Sequence, residues 1–181
     1  MNYWHDVPIG ENAPEEFNTI IEIPKGSNNK YEIDKETGLI ALDRANFNAS
    51  GYPFDYGFVP QTLWDDGDAL DVVVLATYPI PSGMLAAVRP VGFMDMIDGG
   101  DPDHKVIAVP VHDKRWEDVQ DLEDLNKHTL REIQHFFETY KALKDDDPAK
   151  NAVIIKGFTG KADAIKAVER AARLYQEKME L

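Results

Sequence analysis

The sequence has no cysteine. Disulfides, thiolate zinc sites, iron–sulfur ligation and cysteine nucleophiles are therefore excluded together, and any metal must sit on oxygen or imidazole. Basic residues are scarce: 19 Lys and Arg stand against 33 Asp and Glu, a formal charge of −14 with His neutral. Binding to nucleic-acid phosphates or to anionic membrane surfaces draws on clustered Lys and Arg, so the charge balance argues against both partners. No stretch approaches the roughly 20 apolar residues of a membrane span. Met1 to Phe17 carries Asp6, Glu11, Glu15 and Glu16 where a signal peptide would have its apolar core, so a cytoplasmic protein is expected. Walker-type and dinucleotide-type glycine loops are missing, which leaves a nucleotide without its usual cradle. No Ser–His nucleophile motif is evident, and His5, His104, His112, His128 and His135 show no metal-ligand spacing.

What the chain does have is material for one core. With 181 residues, 43% of them hydrophobic, and no repeat, low-complexity tract or long linker, it reads as a single domain spanning residues 1–181. Short segments rich in Val, Ile, Leu, Tyr and Phe predict strands over Asn18 to Ile23, Lys30 to Asp34, Leu39 to Arg44, Asp71 to Tyr78, Met84 to Phe93, Lys105 to Val111 and Ala152 to Phe158. Gly and Pro punctuate them, and no helix-length segment separates the first six, which favours a sandwich or small barrel over a parallel sheet. Helical apolar spacing appears late, over Lys127 to Leu143 and about Ala162 to Met179. The expected fold is mainly β, a β-barrel with helices packed outside it.

The strongest local signal is Asp65-Asp66-Gly67-Asp68-Ala69-Leu70-Asp71, which leads into the apolar run Val72 to Leu75. Carboxylates about 7 Å apart repel by roughly 2 kcal/mol at an effective dielectric near 20, so the cluster favours a hard cation such as Mg²⁺, Mn²⁺ or Ca²⁺. The same run also reads as a solvated acidic turn. A second acidic loop, Asp98-Gly99-Gly100-Asp101-Pro102-Asp103, leads through His104 to Lys105 and reads as a polar hairpin loop. Charges also interrupt strands: Glu22 among Ile20, Ile21 and Ile23, Lys30 and Glu32 on one strand face, and Arg44 on the face of Ile40 and Leu42. Such charges suit exposed edges or a charged pocket at one end of a barrel. Tyr52, Tyr56 and Tyr140, the last beside Lys141, add hydroxyls able to donate to phosphate oxygens. Several Asp with Lys, Arg and Tyr suit metal-assisted phosphoryl transfer.

These segments, in this order from about Val7 to Lys141, resemble the soluble family I inorganic pyrophosphatases of prokaryotic type. Asp66-Gly67-Asp68-Ala69-Leu70-Asp71-Val72 is similar to that family's signature. Ile21-Glu22-Ile23-Pro24, Lys30-Tyr31-Glu32-Ile33-Asp34, Leu42-Asp43-Arg44, Arg89-Pro90-Val91-Gly92 and His135 to Lys141 stand around it. Ala69 occupies a position usually held by Pro, which leaves the loop less rigid, and Asp55 one that is Asn in many bacterial members. The resemblance implies a five-stranded, OB-like closed barrel with flanking helices, assembled as a homohexamer. It implies Mg²⁺-dependent hydrolysis of pyrophosphate to orthophosphate by a metal-bridging hydroxide, with several ions per site, Mn²⁺ or Zn²⁺ as substitutes and Ca²⁺ as an inhibitor. Asp66, Asp71, Asp98 and Asp103 would hold metal, with Glu22 and Glu32 in or near the metal shell. Asp68 would contact the metals and act as base, Tyr56 would lie near the nucleophile, and Lys30, Arg44, Tyr52, Lys105, Tyr140 and Lys141 would surround the substrate.

Overall fold

The unbroken apolar run Val72-Val73-Val74 has a physical cause in the computed structural model, which describes residues 1–147 and 150–179: that strand is covered on both faces. Val72 and Val74 pack with Val106, Ala108 and a row of small residues, Ala164, Ala167, Val168 and Ala171. Val73 packs with Ile107, Val109, Phe136 and Phe137. A strand buried on both sides has no polar face to show in its sequence.

The described elements are β1 (Phe17–Ile23), β2 (Asn29–Ile33), β3 (Ile40–Ala45), β4 (Asp55–Phe58), β5 (Asp71–Val74), β6 (Leu85–Asp98), β7 (Asp101–Pro102), β8 (Lys105–Pro110), α1 (Lys127–Thr139), β9 (Val153–Gly160) and α2 (Lys161–Met179). Hydrogen bonding runs β1–β4–β5–β8–β6, and β6 returns to β1 through Phe17↔Val88 and its neighbours, so five strands close into a barrel. Closure removes the open edges that would otherwise invite pairing with another chain. The far half of the long β6 pairs with β9, while β2 and β3 form a separate hairpin.

Several elements differ from the sequence expectation, each for a local reason. β4 lies among Gly, Pro and aromatic residues that carry no alternation, and its pairing with β1 depends on Gly57, where a Cβ would stand 1.9 Å from the Ile20 carbonyl oxygen. β5 ends at Val74, short of Tyr78, because the chain turns away and the Thr77 amide donates to the Asp113 side chain. β6 continues past Phe93 to Asp98 because β9 supplies it with a partner. α1 begins at the Asn126 cap, whose side chain accepts from the His128 amide, and stops at Thr139 with Tyr140 as its C-cap, short of Leu143. β5 and β8 run parallel, in register Asp71↔Lys105, although no helix joins them: the excursion through β6 makes the crossover. Among the described residues no helix is long and apolar enough to cross a membrane.

Candidate active site

The parallel register that pairs Asp71 with Lys105 brings the N-terminal ends of β5 and β8 together at one mouth of the barrel. There the Lys105 ammonium donates to Asp71 Oδ2 at 2.8 Å and to Asp103 Oδ1 at 2.6 Å, with only 2% of its side chain exposed. Burial disfavours the charge, yet the two carboxylates outweigh it and raise the Lys105 pKa. Tyr56, from β4, donates its hydroxyl to the same Asp71 Oδ2 at 2.5 Å. Asp71 is raised first by burial and further by Asp103. Burial also pushes the Tyr56, Tyr52 and Tyr140 phenols up, so all three keep their protons and can donate.

Other elements bring their charges to the same opening. Glu22 on β1 is buried and accepts from the Ile33 amide of β2 at 2.7 Å; burial and the Asp71 charge push its carboxyl up to about 8. On the β2–β3 hairpin Lys30 faces Arg44 in register, and Asp43 bridges them, accepting from Lys30 at 2.9 Å and Arg44 at 2.5 Å. Lys30 also donates to Glu32 at 2.6 Å. The acidic loop turns at Gly67, where φ is +86°, and the Asp66 side chain accepts from the Asp68 amide. Burial and Asp68 raise Asp66. The second acidic loop is a two-residue hairpin between β6 and β7, with Gly99 and Gly100 at φ +58° and +100°, the conformation of a type I′ turn. It presents Asp98, which receives Lys141 and, at 3.4 Å, the Tyr140 hydroxyl from the end of α1.

Asp66, Asp68, Asp71, Asp98, Asp103, Glu22 and Glu32 thus line one cleft of about 660 Å³ with Lys30, Arg44, Tyr52, Tyr56, Lys105, Tyr140 and Lys141. The cleft also takes in Asp34, Lys35, Glu36, Lys144 and Trp4, which the sequence reading did not single out. Lys144 lies at helical spacing from Lys141, and Lys35 follows β2 directly, so both had a positional signal; Trp4 had none. Lys35 pairs with Asp68. Among the described residues, nine carboxyl groups and six cationic side chains line the cleft; with Glu22 raised to about 8 and holding its proton at neutral pH, the surplus is two negative charges.

Among the described residues no three acidic or imidazole side chains converge on one point closely enough to hold an ion. The lysines draw the carboxylates to themselves: Asp71 and Asp103 close on Lys105, Asp98 on Lys141 and Asp68 on Lys35. The donor set nevertheless fits hard divalent cations, because it is all oxygen, carries surplus negative charge and holds carboxyls raised by burial and, second to it, by one another's charge.

Residues 19–176 match the family model described as inorganic pyrophosphatase. The chain is 44% identical to an inorganic pyrophosphatase of Haloferax volcanii, covering 98% of each. It is 42% identical to soluble inorganic pyrophosphatase 1 of Arabidopsis thaliana, covering 96% of this chain and 80% of that one. The crystal structure of inorganic pyrophosphatase from Thermus thermophilus superposes with a TM-score of 0.93 at 43% identity, covering 97% of this chain and 99% of that one. A match of this extent over nearly the whole chain, together with the shared barrel, shows the family: the chain belongs to the inorganic pyrophosphatase family, whose members hydrolyse pyrophosphate.

Proposed function

We propose that the cleft at the barrel mouth binds pyrophosphate with several Mg²⁺ ions and hydrolyses it to orthophosphate by direct attack of water, with Asp68 as the base. The observation that supports this most is the composition of the cleft: a surplus of carboxylates encloses cationic and phenolic donors, a pairing that suits a polyanion only when cations accompany it. When bound, the ions neutralise phosphate charge and acidify the attacking water.

The protein's own groups do the rest. Asp66, Asp71, Asp98 and Asp103 would hold the ions, with Glu22 and Glu32 at the edge of that set. Asp68 is half exposed on the turn, so its carboxylate can reach a water and take the proton. Tyr56 fixes the Asp71 orientation through its short hydrogen bond. Lys105 and Lys141 pair with carboxylates that would hold the ions, Lys30 and Arg44 pair with Asp43, and all four cations would turn to the phosphate oxygens of the bound substrate, with Tyr52 and Tyr140 donating to the same anion. Mn²⁺ or Zn²⁺ would substitute, while Ca²⁺, larger and looser in geometry, would occupy the site and inhibit.

A cytoplasmic homohexamer belongs to the same reading. Exposed Leu42, Met84 and Leu85 offer apolar surface for contact between copies, which sedimentation would register. The experiment on the site itself is phosphate release from pyrophosphate across a Mg²⁺ titration, repeated with Ca²⁺ added. Release that rises with Mg²⁺ and falls with Ca²⁺ is expected; release unaffected by removing all divalent ions would refute the reading.

A further inference from the structure

The acidic loop is closed on its Trp64 side: the Gly67 amide donates to the Trp64 carbonyl, the Trp64 amide to the Asp68 carbonyl and the Asp68 amide to the Asp66 side chain. It turns at Gly67, and cations balance Asp65, Asp68 and Asp71. Between Asp68 and Leu70 the tie is thinner, since among the described residues the Ala69 amide donates no hydrogen bond, and there contacts from outside the loop bear on the spacing of Asp68 and Asp71. The N-terminal segment Asn2 to His5 lies against it. Trp4 is 6% exposed and packs in one cluster with Ala69, Phe58 and Tyr175, forming part of the cleft wall.

Its indole Nε1 donates to the Thr62 carbonyl at 2.8 Å, and its own carbonyl accepts from the Gln61 amide at 2.9 Å, where φ is +53°. Thr62 is fully buried and passes the constraint on: its hydroxyl accepts from the Leu70 amide at 3.0 Å and donates to the Val59 carbonyl at 2.6 Å. The C-terminal end of the loop, at Leu70, is thereby tied to Thr62, which Trp4 grips. The segment is anchored in turn. The Trp4 ring stacks on His5 with centroids 4.8 Å apart, His5 Nδ1 hydrogen-bonds the Tyr175 hydroxyl of α2 at 2.8 Å, and Asn2 Oδ1 accepts from the Trp4 amide at 2.9 Å. The Tyr3 amide donates to the Gly38 carbonyl between β2 and β3.

We propose that Trp4 is a positioning residue for the cation site, a strap that joins α2 and the β2–β3 hairpin to the acidic loop and holds Asp68 and Asp71 at ligand spacing. This rests on the reading of that loop as the ion-binding segment. A group that supports metal ligands from outside acts on affinity for the metal, and loss of such support costs on the order of tenfold. A group that serves only the core acts on stability alone.

The test is calorimetric titration of the metal-free protein with Mg²⁺, for wild type, Trp4→Ala, Trp4→Phe and the double variant Trp4→Ala/Ala69→Pro, with kcat and KM for pyrophosphate measured beside it. Trp4→Ala is expected to weaken Mg²⁺ binding about tenfold, and to lower kcat while KM at saturating Mg²⁺ stays put. Trp4→Phe keeps the ring and loses only the indole donor, so a loss of about threefold is expected, which covers the case in which the alanine variant does not fold. Ala69→Pro stiffens the loop from within and is expected to recover most of the affinity. Wild-type Mg²⁺ affinity in a folded Trp4 variant, or a loss that Ala69→Pro leaves in place, would overturn the strap while leaving the site reading intact. A wild-type protein that binds no Mg²⁺ would overturn both.

Discussion

The barrel is flanked by two helices that cover its strands with opposite materials. On the α1 side the packing is aromatic: Tyr52, Phe54, Tyr56, Phe136, Phe137 and Tyr140 touch one another at centroid separations of 4.6 to 6.4 Å. On the α2 side it is small and aliphatic, with Ala164, Ala167, Val168 and Ala171 against Val72, Val74 and Ala108. Phenols have an apolar body and a polar tip, so the α1 cluster can be core at one end and cleft wall at the other. Alanines have no such tip. The α1 side therefore couples packing to chemistry, whereas the α2 side can change packing without touching the cleft directly.

Lys105 stands where that coupling is tightest, its ammonium lying over the rings of Tyr56 and Phe137 at 5.4 and 5.7 Å while it joins two carboxylates. Lys105→Met would strand Asp71 and Asp103 against each other, and a stability loss of about 3–5 kcal/mol is expected in denaturant unfolding. Added Mg²⁺ should return part of it by replacing the lost positive charge. Next in size, Phe137→Ala should cost about 3–4 kcal/mol and also lower kcat in the folded protein, because the rings that orient Tyr56 and Tyr140 lose their support. Ala167→Leu tests the other side: overpacking should cost about 1–3 kcal/mol, with kcat of the folded enzyme unchanged. Equal kinetic damage from both substitutions would erase the contrast.

The smallest effect concerns Asp55, a buried carboxylate placed at the start of β4. Its Oδ1 accepts from the Lys25 and Ile80 amides at 2.8 and 3.0 Å, while Oδ2 is buried without a partner. Burial raises its pKa in the folded state above the unfolded value. The stability linked to this proton is therefore complete below the unfolded carboxyl pKa and is lost as pH rises through the folded one. Asp55→Asn keeps the acceptor and removes the charge. Thermal unfolding should show the variant gaining on wild type by about 1 kcal/mol between pH 4 and 7, with no gain at about pH 3. A constant difference across that range would show that ionisation of Asp55 costs nothing.

Much of this was legible in the sequence for reasons the structure makes physical. α2 and the start of α1 announce themselves because one face is buried and the other wet, and β8 because both its faces are buried. The acidic loop stood out because four Asp within seven residues are costly unless something balances them. β4 was illegible because all four of its residues are buried, Tyr56 against Phe137 of α1 and Phe58 in the cluster with Trp4, with Gly57 set by the close approach to β1, so no alternation shows. The parallel β5–β8 pair was hidden because helices, the usual sign of such a crossover, are replaced by β6. Trp4 was invisible because the contacts that bring it to the cleft wall include residues far away in the chain, such as Thr62 and Tyr175.

The central claim is that this acidic mouth is a reaction centre in which Asp68 takes the proton, beyond being a place where cations gather. Its most direct test is Asp68→Asn, with turnover of pyrophosphate and calorimetric Mg²⁺ binding measured on the same folded sample. Removing a positioned base costs roughly 10²- to 10⁴-fold in rate, so kcat should fall by that much while Mg²⁺ binding, for which Asp66, Asp71, Asp98 and Asp103 are the proposed ligands, should persist within about tenfold. A variant that turns over pyrophosphate at the wild-type rate would contradict the account.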